Sequence, residues 1–420
     1  MDEKEDAVKK RRSGRRQLVS VILVLILLLL TGCRQDKQNE GKNGDTVEAD
    51  GDRTPGTVST DNSENGREQT TGAGELQMMK NGSGVAVTEL NTLTEESLAT
   101  LKKAGITFVK VHIPYPFDAG GNMSSNYLNA KRAVKLIAKS GLEPVCQSFT
   151  PGGNAYNQTT GQVEWMSYLP AVFENYDDEY FYKLIRQGCE YIGKDLKEYG
   201  NCWIISNEPN LTTFTGPMTN EQIVRYIQSC AEGIKTGNEN AYCGVNIFGT
   251  ADRNRAMRLI PMLYGEKSNL DYLGLDSYFG TLVEGGAEDW EDYISMYYDL
   301  TNVPIMITEF SYSSYVWDET KRANDSQGLA YNSPVCRNKR FSYEWTGHER
   351  TEQTQAEYAQ ICIDIFKSHP EVIGWCWFSN VDKDGPCWEC GDTYCPMESS
   401  WGLLRSDGSK KPVLDVIGQQ

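Results

Sequence analysis

The feature that most constrains this chain is a strict alternation of short apolar segments with amphipathic ones, which begins near residue 79 and repeats eight times. Each apolar segment has the length of a buried strand, and each amphipathic segment has helical spacing. The expected strands are 85–87, 106–113, 144–146, 202–206, 243–248, 272–275, 304–308 and 372–377. This order predicts an α/β fold with parallel strands joined by right-handed crossovers. Eight such units predict a closed (β/α)8 TIM barrel.

An open doubly wound sheet is the alternative fold for the same alternation. It would usually have a glycine-rich phosphate-binding turn after the first strand. The corresponding stretch is Thr88-Glu89-Leu90-Asn91, which contains no glycine. The closed barrel is therefore the favoured prediction.

Three connections are long, and they follow the third, seventh and eighth expected strands, at about 149–176, 310–351 and 380–410. Long connections in compact domains are usually functional, and a barrel places its site at the end where its strands finish. Tryptophans in these connections suit either packing within the loops or contact with the apolar face of a ligand. They are Trp165, Trp317, Trp345, Trp388 and Trp401.

The first 32 residues have the layout of a secretory signal peptide. Six positive charges lie between Lys9 and Arg16, an almost wholly aliphatic segment runs from Leu18 to Leu30, and Thr31-Gly32-Cys33 follows. This order is typical of a cleaved signal, and the apolar segment is short for a transmembrane span. Leu-Thr-Gly-Cys resembles the bacterial lipobox, which implies lipidation of Cys33 and export. An uncleaved signal anchor is the alternative.

Residues 33–78 have the composition of a disordered acidic and polar linker. Positions 34 to 76 contain no aromatic residue and almost no large aliphatic residue. Such a segment cannot bury enough apolar surface to offset the entropy lost on ordering. We therefore expect residues 79–420 to form the folded domain, held away from a membrane by a flexible tether.

The charge balance restricts the partners of the chain. It contains 41 Lys and Arg against 58 Asp and Glu, a net charge of −17. The first 32 residues have seven positive and four negative charges, so the remainder is near −20 (−17 minus +3). An acidic surface of this kind argues against nucleic acid, or an anionic membrane surface, as the main partner.

Two glutamates follow the apolar segments expected as strands four and seven. The segment 202–206 leads into Asn207-Glu208-Pro209-Asn210, and the segment 303–308 leads into Glu309-Phe310. A carboxylate at the end of a buried strand needs a partner or a function. Strands four and seven lie across the mouth of an eight-stranded barrel, so both carboxylates can face one pocket. Paired carboxylates, one protonated and one ionised, are the apparatus of glycoside hydrolysis.

With these residues the chain resembles the retaining glycoside hydrolases of clan A, most closely glycoside hydrolase family 5, the cellulase family. The resemblance extends over residues 79–420 and is close only at the strand ends. It implies that Asn207 binds substrate, that Glu208 is the general acid/base and that Glu309 is the nucleophile. Strand six of the family has a His-x-Tyr pattern whose tyrosine contacts the nucleophile. Here it reads Asp276-Ser277-Tyr278. A tryptophan of strand eight lies beneath the cleaved sugar, and Trp377 fits that position.

Strand two departs from the family pattern. Family 5 typically reads Val-Arg-Ile-Pro there, and the arginine helps to keep the nucleophile ionised. This chain reads Val111-His112-Ile113-Pro114. Histidine is a weaker, titratable substitute. We expect His112 to tune Glu309, with a hydrogen-bonded structural role as the alternative. His112 and Asp276 are both counted as candidate substrate-binding residues.

The twelve cysteines form three groups. Cys33 is the expected lipidation site. Seven lie in expected strands and helices and are interpreted as buried small hydrophobic residues; they are Cys146, Cys189, Cys202, Cys230, Cys243, Cys362 and Cys376. Four follow strands seven and eight, namely Cys336, Cys387, Cys390 and Cys395. Export favours disulfides among these four, whereas the Cys-x-x-Cys spacing also suits a structural zinc, and the spacing leaves both open.

Together these observations predict a lipid-anchored retaining β-glycosidase that acts on an extracellular poly- or oligosaccharide and requires no cofactor for its chemistry. One alternative is a carbohydrate-binding lipoprotein on an inactive barrel, against which the presence of both glutamates weighs. A second is a transglycosylase that remodels a surface glycan with the same residues. Turnover of aryl β-glycosides separates the first function from the binding protein, and product analysis at high acceptor concentration separates it from the transglycosylase.

Overall fold

The computed structural model describes residues 81–157, 160, 162–170, 175–314, 343–383 and 399–418. The expected signal peptide and the linker, including Cys33, therefore lie outside the described residues. The same is true of Trp317, Trp388 and the four loop cysteines Cys336, Cys387, Cys390 and Cys395. The seven other cysteines are buried and unpaired by disulfides, as the sequence predicts.

Eight parallel strands form a closed barrel, which confirms the predicted (β/α)8 fold. Around the barrel, each strand pairs with its neighbour in the order β1-β2-β3-β6-β7-β8-β9-β10 and back to β1. The strands are β1 (Gly82–Val87), β2 (Phe108–Ile113), β3 (Glu143–Ser148), β6 (Cys202–Ile204), β7 (Tyr242–Ile247), β8 (Tyr272–Ser277), β9 (Ile305–Phe310) and β10 (Val372–Phe378). The fourth and seventh barrel strands are thus β6 and β9.

Helices follow the barrel strands and cover their outer face. The longer ones are α1 (Glu95–Lys103), α2 (Ser125–Lys139), α3 (Glu179–Leu196), α5 (Asn220–Gly237), α6 (Arg253–Leu263), α7 (Trp290–Thr301) and α8 (Glu352–Ser368). Two are short, α4 (Thr212–Thr215) and α9 (Pro412–Ile417). Side-chain caps define the starts of six of these helices, as where the Thr219 hydroxyl accepts from the backbone N–H of Gln222 at 3.3 Å at the start of α5. Among the described residues, no helix has the length and apolar character to cross a membrane.

Alternation along the strands divides the core into two layers. Residues such as Phe108, Tyr272 and Met306 fill the barrel interior. Their strand neighbours, such as Val109, Leu273 and Ile307, pack outward against the helices. A residue's place in this alternation therefore decides whether it can reach the barrel mouth.

The first long connection contains a hairpin that the sequence did not predict. Strands β4 (Gly152–Asn157) and β5 (Gln162–Ser167) pair in antiparallel fashion just after β3. A Cβ atom at Gly152 would lie 2.4 Å from the ring of Trp165, so a glycine is needed for this close packing. The Asn154 amide donates to Thr213 Oγ1 of α4 at 3.4 Å, which ties the hairpin to the segment after Glu208.

Candidate active site

Three carboxyl groups meet inside the carboxyl end of the barrel. They belong to Glu208, Asp276 and Glu309, which are 6%, 0% and 8% exposed. One oxygen from each lies within 4.8 Å of one oxygen from each of the others. The structure therefore brings together the two glutamates that the sequence singled out and adds a third acid to them.

Backbone geometry aims Glu208 into this cluster. Strand β6 ends at Ile204, and the chain then passes through two non-glycine residues with positive φ, Ser206 at 66° and Glu208 at 37°. That region is disfavoured for residues with a Cβ atom and is found mostly where surrounding contacts enforce it. Here the Glu208 N–H donates to Asn246 Oδ1 of β7 at 3.2 Å. The strained turn is thus fixed by the neighbouring strand.

A β-bulge in β9 aims Glu309. Leu275 and Asp276 of β8 pair with Ile307 and Glu309, so β9 has one extra residue between the two pairs. The pairing of β9 with β10 is irregular at the same place. A bulge disrupts alternation and redirects a side chain. It lets both Thr308 and Glu309 contact the cluster, although neighbouring residues on a strand normally face opposite ways.

Glu309 accepts hydrogen bonds from two side chains. The ammonium group of Lys110, on β2, forms a buried ion pair with Oε1. The hydroxyl of Tyr278 donates to Oε2. Burial opposes the charge of Lys110, but the charges of Glu309 and Asp276 outweigh it and raise the Lys110 pKa. A cation and a phenol thus stabilise Glu309 as a carboxylate.

Glu208 has the opposite surroundings. Burial raises its pKa well above the usual range, and the negative charges of Asp276 and Glu309 raise it further. A hydrogen bond with the Asp276 carboxyl also raises the pKa of Glu208, whereas Lys110 lowers it. Burial and Glu309 together raise the pKa of Asp276 to about 7. The cluster can therefore hold a proton at neutral pH, and the surroundings favour Glu208 as its site.

Amide side chains connect the neighbouring strands around Glu208. Asn207 Oδ1 accepts from Gln147 Nε2 of β3 at 2.7 Å and from Asn246 Nδ2 at 2.8 Å. The same Asn246 amide donates to Asp276 Oδ2 at 2.6 Å. Because Asn207 is only half buried, it can present its amide to a ligand while its oxygen is held in place.

His112 lies on the inward face of β2, two residues beyond Lys110. Its side chain is partly exposed to solvent, while the protein atoms that surround it disfavour a charge and, together with the charge of Lys110, lower its pKa to about 4. The imidazole is therefore neutral at neutral pH. The cation that pairs with Glu309 is Lys110, so the structure assigns to Lys110 the position expected for His112.

Trp377 does not face the site, which corrects the prediction for strand eight. It is 0% exposed, packs outward with Phe310 at 5.1 Å between ring centres, and donates its indole N–H to the Trp401 carbonyl at 2.8 Å. Alternation places the next residue, Phe378, toward the mouth. Its ring lies 5.9 Å from that of Tyr278 and 6.1 Å from that of Trp401.

The other tryptophans expected as contact residues are mostly packed. Trp401 is buried beside Tyr278, with 5.3 Å between ring centres. Trp345 is buried and stacks on His348 at 3.5 Å. Trp165, on β5 of the hairpin, is half buried, and its ring lies close to Gly152 and Gly216. For these three, the packing alternative is the one that the structure supports.

The residues of the candidate site that sequence reasoning missed are polar residues within buried strands: Gln147, Asn246, Thr308 and above all Lys110. A charged residue in the middle of a strand covered on both faces was itself a signal, because such a group requires a partner. The acidic cluster does not by itself make a metal site. Lys110 already supplies positive charge among its carboxyl groups.

Comparison with solved structures supports the fold. Searches against protein-family models and against curated proteins found no match. The β-glycosidase BGL167 has a TM-score of 0.56 at 13% identity, over 81% of this chain and 95% of that chain. A GH5_18 protein from Streptomyces cattleya, in complex with Manb1-4GlcNAc, has a TM-score of 0.57 at 13% identity, over 81% of this chain and 79% of that chain. A GH10 xylanase from Thermobacillus composti has a TM-score of 0.54 at 17% identity, over 82% of this chain and 98% of that chain. At such identities the likeness establishes a shared barrel fold.

Proposed function

We propose that this protein is a retaining β-glycosidase that hydrolyses O-glycosidic bonds of an extracellular poly- or oligosaccharide. The observation that supports this most directly is the close approach of the two glutamates, since one carboxyl oxygen of Glu208 lies within 4.8 Å of one carboxyl oxygen of Glu309. Retaining glycosidases have carboxyl groups about 5–5.5 Å apart, whereas inverting ones need about 6.5–9.5 Å to admit a water. The short spacing supports direct attack by a protein carboxylate.

The surroundings of the two glutamates support a division of roles. Glu309, held ionised by Lys110 and Tyr278, attacks the anomeric carbon and forms a covalent glycosyl-enzyme. Glu208, held protonated by burial and neighbouring charge, protonates the leaving oxygen and then, as a base, takes a proton from the attacking water. The protein groups supply all of this chemistry, so we propose no cofactor for it.

We propose a carbohydrate as substrate because barrels of the same fold include proteins solved with such ligands, among them Manb1-4GlcNAc. Asn207 would bind a sugar hydroxyl through its half-buried amide. Phe378 would lie against the apolar face of the sugar, the position that the sequence assigned to Trp377.

The proposed location is the outer side of a bacterial cell membrane, with a lipid on Cys33. This rests on the residues Leu30-Thr31-Gly32-Cys33. Cys33→Ala should leave an unprocessed precursor and abolish labelling by palmitate. Wild-type protein that takes up no label and is not cut after Gly32 would refute the lipid anchor without touching the barrel chemistry. Thiol titration with elemental analysis would separate disulfides from zinc at the loop cysteines.

The function is tested with aryl β-glycosides and a 2-fluoro glycoside inactivator. The purified protein should release the aryl group, and NMR of the first product should show the β configuration. The inactivator should label one peptide, at Glu309. An α product, or a label elsewhere, would overturn the assignment. Binding of oligosaccharides without turnover would favour the carbohydrate-binding lipoprotein, and transfer to added acceptors would favour the transglycosylase.

A further inference from the structure

We propose that Asp276 is a positioning residue that keeps the catalytic proton on Glu208, by accepting a carboxyl–carboxylate hydrogen bond from it. This inference rests on the proposed glycosidase function and deepens it. The resemblance to family 5 predicts a histidine at this position, so the role follows from this chain's own geometry.

The first argument is that Asp276 cannot contact a substrate. Its side chain is completely buried, and both carboxyl oxygens already accept hydrogen bonds. Thr308 Oγ1 donates to Oδ1 at 2.5 Å, and Asn246 Nδ2 donates to Oδ2 at 2.6 Å. These two donors and the charge of Lys110 favour the ionised form of Asp276 and oppose the burial and the Glu309 charge that raise its pKa to about 7, so the carboxylate form is available at neutral pH. The residue is therefore an acceptor held in a fixed orientation beneath the site.

The backbone makes room for this arrangement. A Cβ atom at Gly274, two residues earlier on β8, would lie 2.8 Å from Thr308 Oγ1 and 3.0 Å from Asn246 Cα. A glycine there allows Thr308 and Asn246 to approach Asp276 from both neighbouring strands. Asn246 also accepts from the Glu208 N–H through Oδ1 at 3.2 Å, so one amide positions both acids.

The second argument is a count of charges. Among the described residues, the titratable groups near Asp276 are Glu208, Glu309 on β9, Lys110 on β2, the Tyr278 hydroxyl, the Cys376 thiol on β10 and the Tyr293 hydroxyl on α7, which donates to the Asp276 backbone carbonyl. In the part of the chain that the structure describes, these three buried carboxyl groups share one ammonium group, so full ionisation of all three is strongly disfavoured. Lys110 and Tyr278 stabilise charge on Glu309, and Thr308 and Asn246 stabilise charge on Asp276. Glu208 is the carboxyl left to hold the proton.

The reaction uses this arrangement in both steps. When the Glu208 O–H bond breaks and the leaving oxygen takes the proton, Glu208 becomes a carboxylate beside ionised Asp276. Repulsion between the two then favours recovery of a proton, which Glu208 takes from water as the water oxygen attacks the anomeric carbon. Atoms and charge balance over the cycle, and Asp276 itself is unchanged. Because the two acids interact closely, they titrate as a pair.

The decisive experiment compares Asp276→Asn with wild type in the pH profile of kcat/KM, using a substrate with a poor leaving group. Removing the negative neighbour should lower the pKa of Glu208, so the alkaline limb should move to lower pH by about one unit or more. Thr308→Val should move it in the same direction by less, because Asp276 then holds a proton more readily. Asp271→Asn, at the opposite end of β8, is the matched control and should leave the limb in place.

A measurement independent of turnover separates this inference from the proposed function. Glutamate labelled with 13C at the side-chain carboxyl, with Glu208 assigned from its loss in Glu208→Gln, should titrate at lower pH in Asp276→Asn than in wild type. Lower activity with an unchanged Glu208 titration and an unchanged alkaline limb would overturn the inference and make Asp276 structural. Absence of hydrolysis with a shifted titration would instead uphold the inference and count against the glycosidase. Thermal unfolding confirms that each variant is folded.

Discussion

Glu208 and Glu309 occupy the same cluster, and their surroundings differ in almost every respect. Glu309 lies within strand β9, at a bulge, where it contacts the Lys110 ammonium group and the Tyr278 hydroxyl. Glu208 comes from a strained turn beyond the strand end and faces burial and like charge. The comparison shows how one pocket can place two identical side chains in surroundings that favour opposite protonation states. Such a difference between two carboxyl groups is the usual sign of an acid and a base partner.

Removing Glu309 should have the largest effect. Glu309→Ala loses the attacking group, so activity should fall by about 10⁵-fold or more on every substrate, whatever its leaving group. Azide should restore turnover of aryl glycosides by occupying the vacated space, and its product should be the inverted glycosyl azide. Glu284→Ala, at an exposed position before α7, is the control and should retain activity. Full activity in Glu309→Ala would contradict the proposed role of Glu309 as the nucleophile.

Removing Glu208 should have a smaller effect that depends on the substrate. Glu208→Ala loses only proton transfer, which contributes about 10²–10⁴-fold. Substrates with poor leaving groups should lose that whole factor in rate. Activated aryl glycosides should release the aryl group in a rapid burst, after which the glycosyl-enzyme should be hydrolysed slowly. Azide should here give the product with retained configuration. Equal losses with good and poor leaving groups would contradict the assigned acid role.

Removing the cation beside Glu309 should make the electrostatic surroundings of the two glutamates more alike. Lys110 forms a buried ion pair with the Glu309 carboxylate, so Lys110→Met removes the cation beside the proposed nucleophile and should shift the acidic limb of the pH profile to higher pH. Breaking a buried ion pair also costs about 3–5 kcal/mol of unfolding free energy.

The exposed pair Lys139–Glu95 provides the matched control for stability. Lys139→Met should leave the free energy of unfolding almost unchanged, because exposed pairs contribute little, and should leave the pH profile unchanged. Denaturant unfolding and kcat/KM profiles check both variants. A Lys110→Met protein with an unmoved acidic limb would show that Tyr278 alone holds Glu309 ionised.

The sequence was sufficient for the barrel and for the two glutamates, because both follow from strong regularities. Eight alternating units specify the fold, and buried strands that end in carboxylates reveal the site. The sequence was a poorer guide to the face of a strand on which each side chain lies. Trp377 and Phe378 are adjacent, and only the observed register shows that Phe378 points to the mouth.

The bulge in β9 explains a second feature that could not be predicted from the sequence. Simple alternation puts Thr308 and Glu309 on opposite faces, whereas the extra residue in β9 brings both to the cluster. The sequence also assigned the wrong residue of β2 as the partner of Glu309. The family pattern matches Val111-His112-Ile113-Pro114, which indicated His112, whereas the inward-facing residue that reaches Glu309 is Lys110, two residues earlier. A search for charged residues on the inward face of β2 would have found Lys110.

His112 should have the smallest effect, and it tests whether the cation role belongs to Lys110 alone. With its pKa lowered to about 4 by the cleft walls and Lys110, His112 is neutral over the working range and supplies at most a hydrogen bond. His112→Gln should therefore change kcat/KM by no more than about tenfold, the scale of a hydrogen bond of about 0.5–1.5 kcal/mol. The acidic limb should stay where it is in wild type. An upward shift like that of Lys110→Met would instead show that His112 shares in holding Glu309 ionised, as the strand-two pattern first suggested.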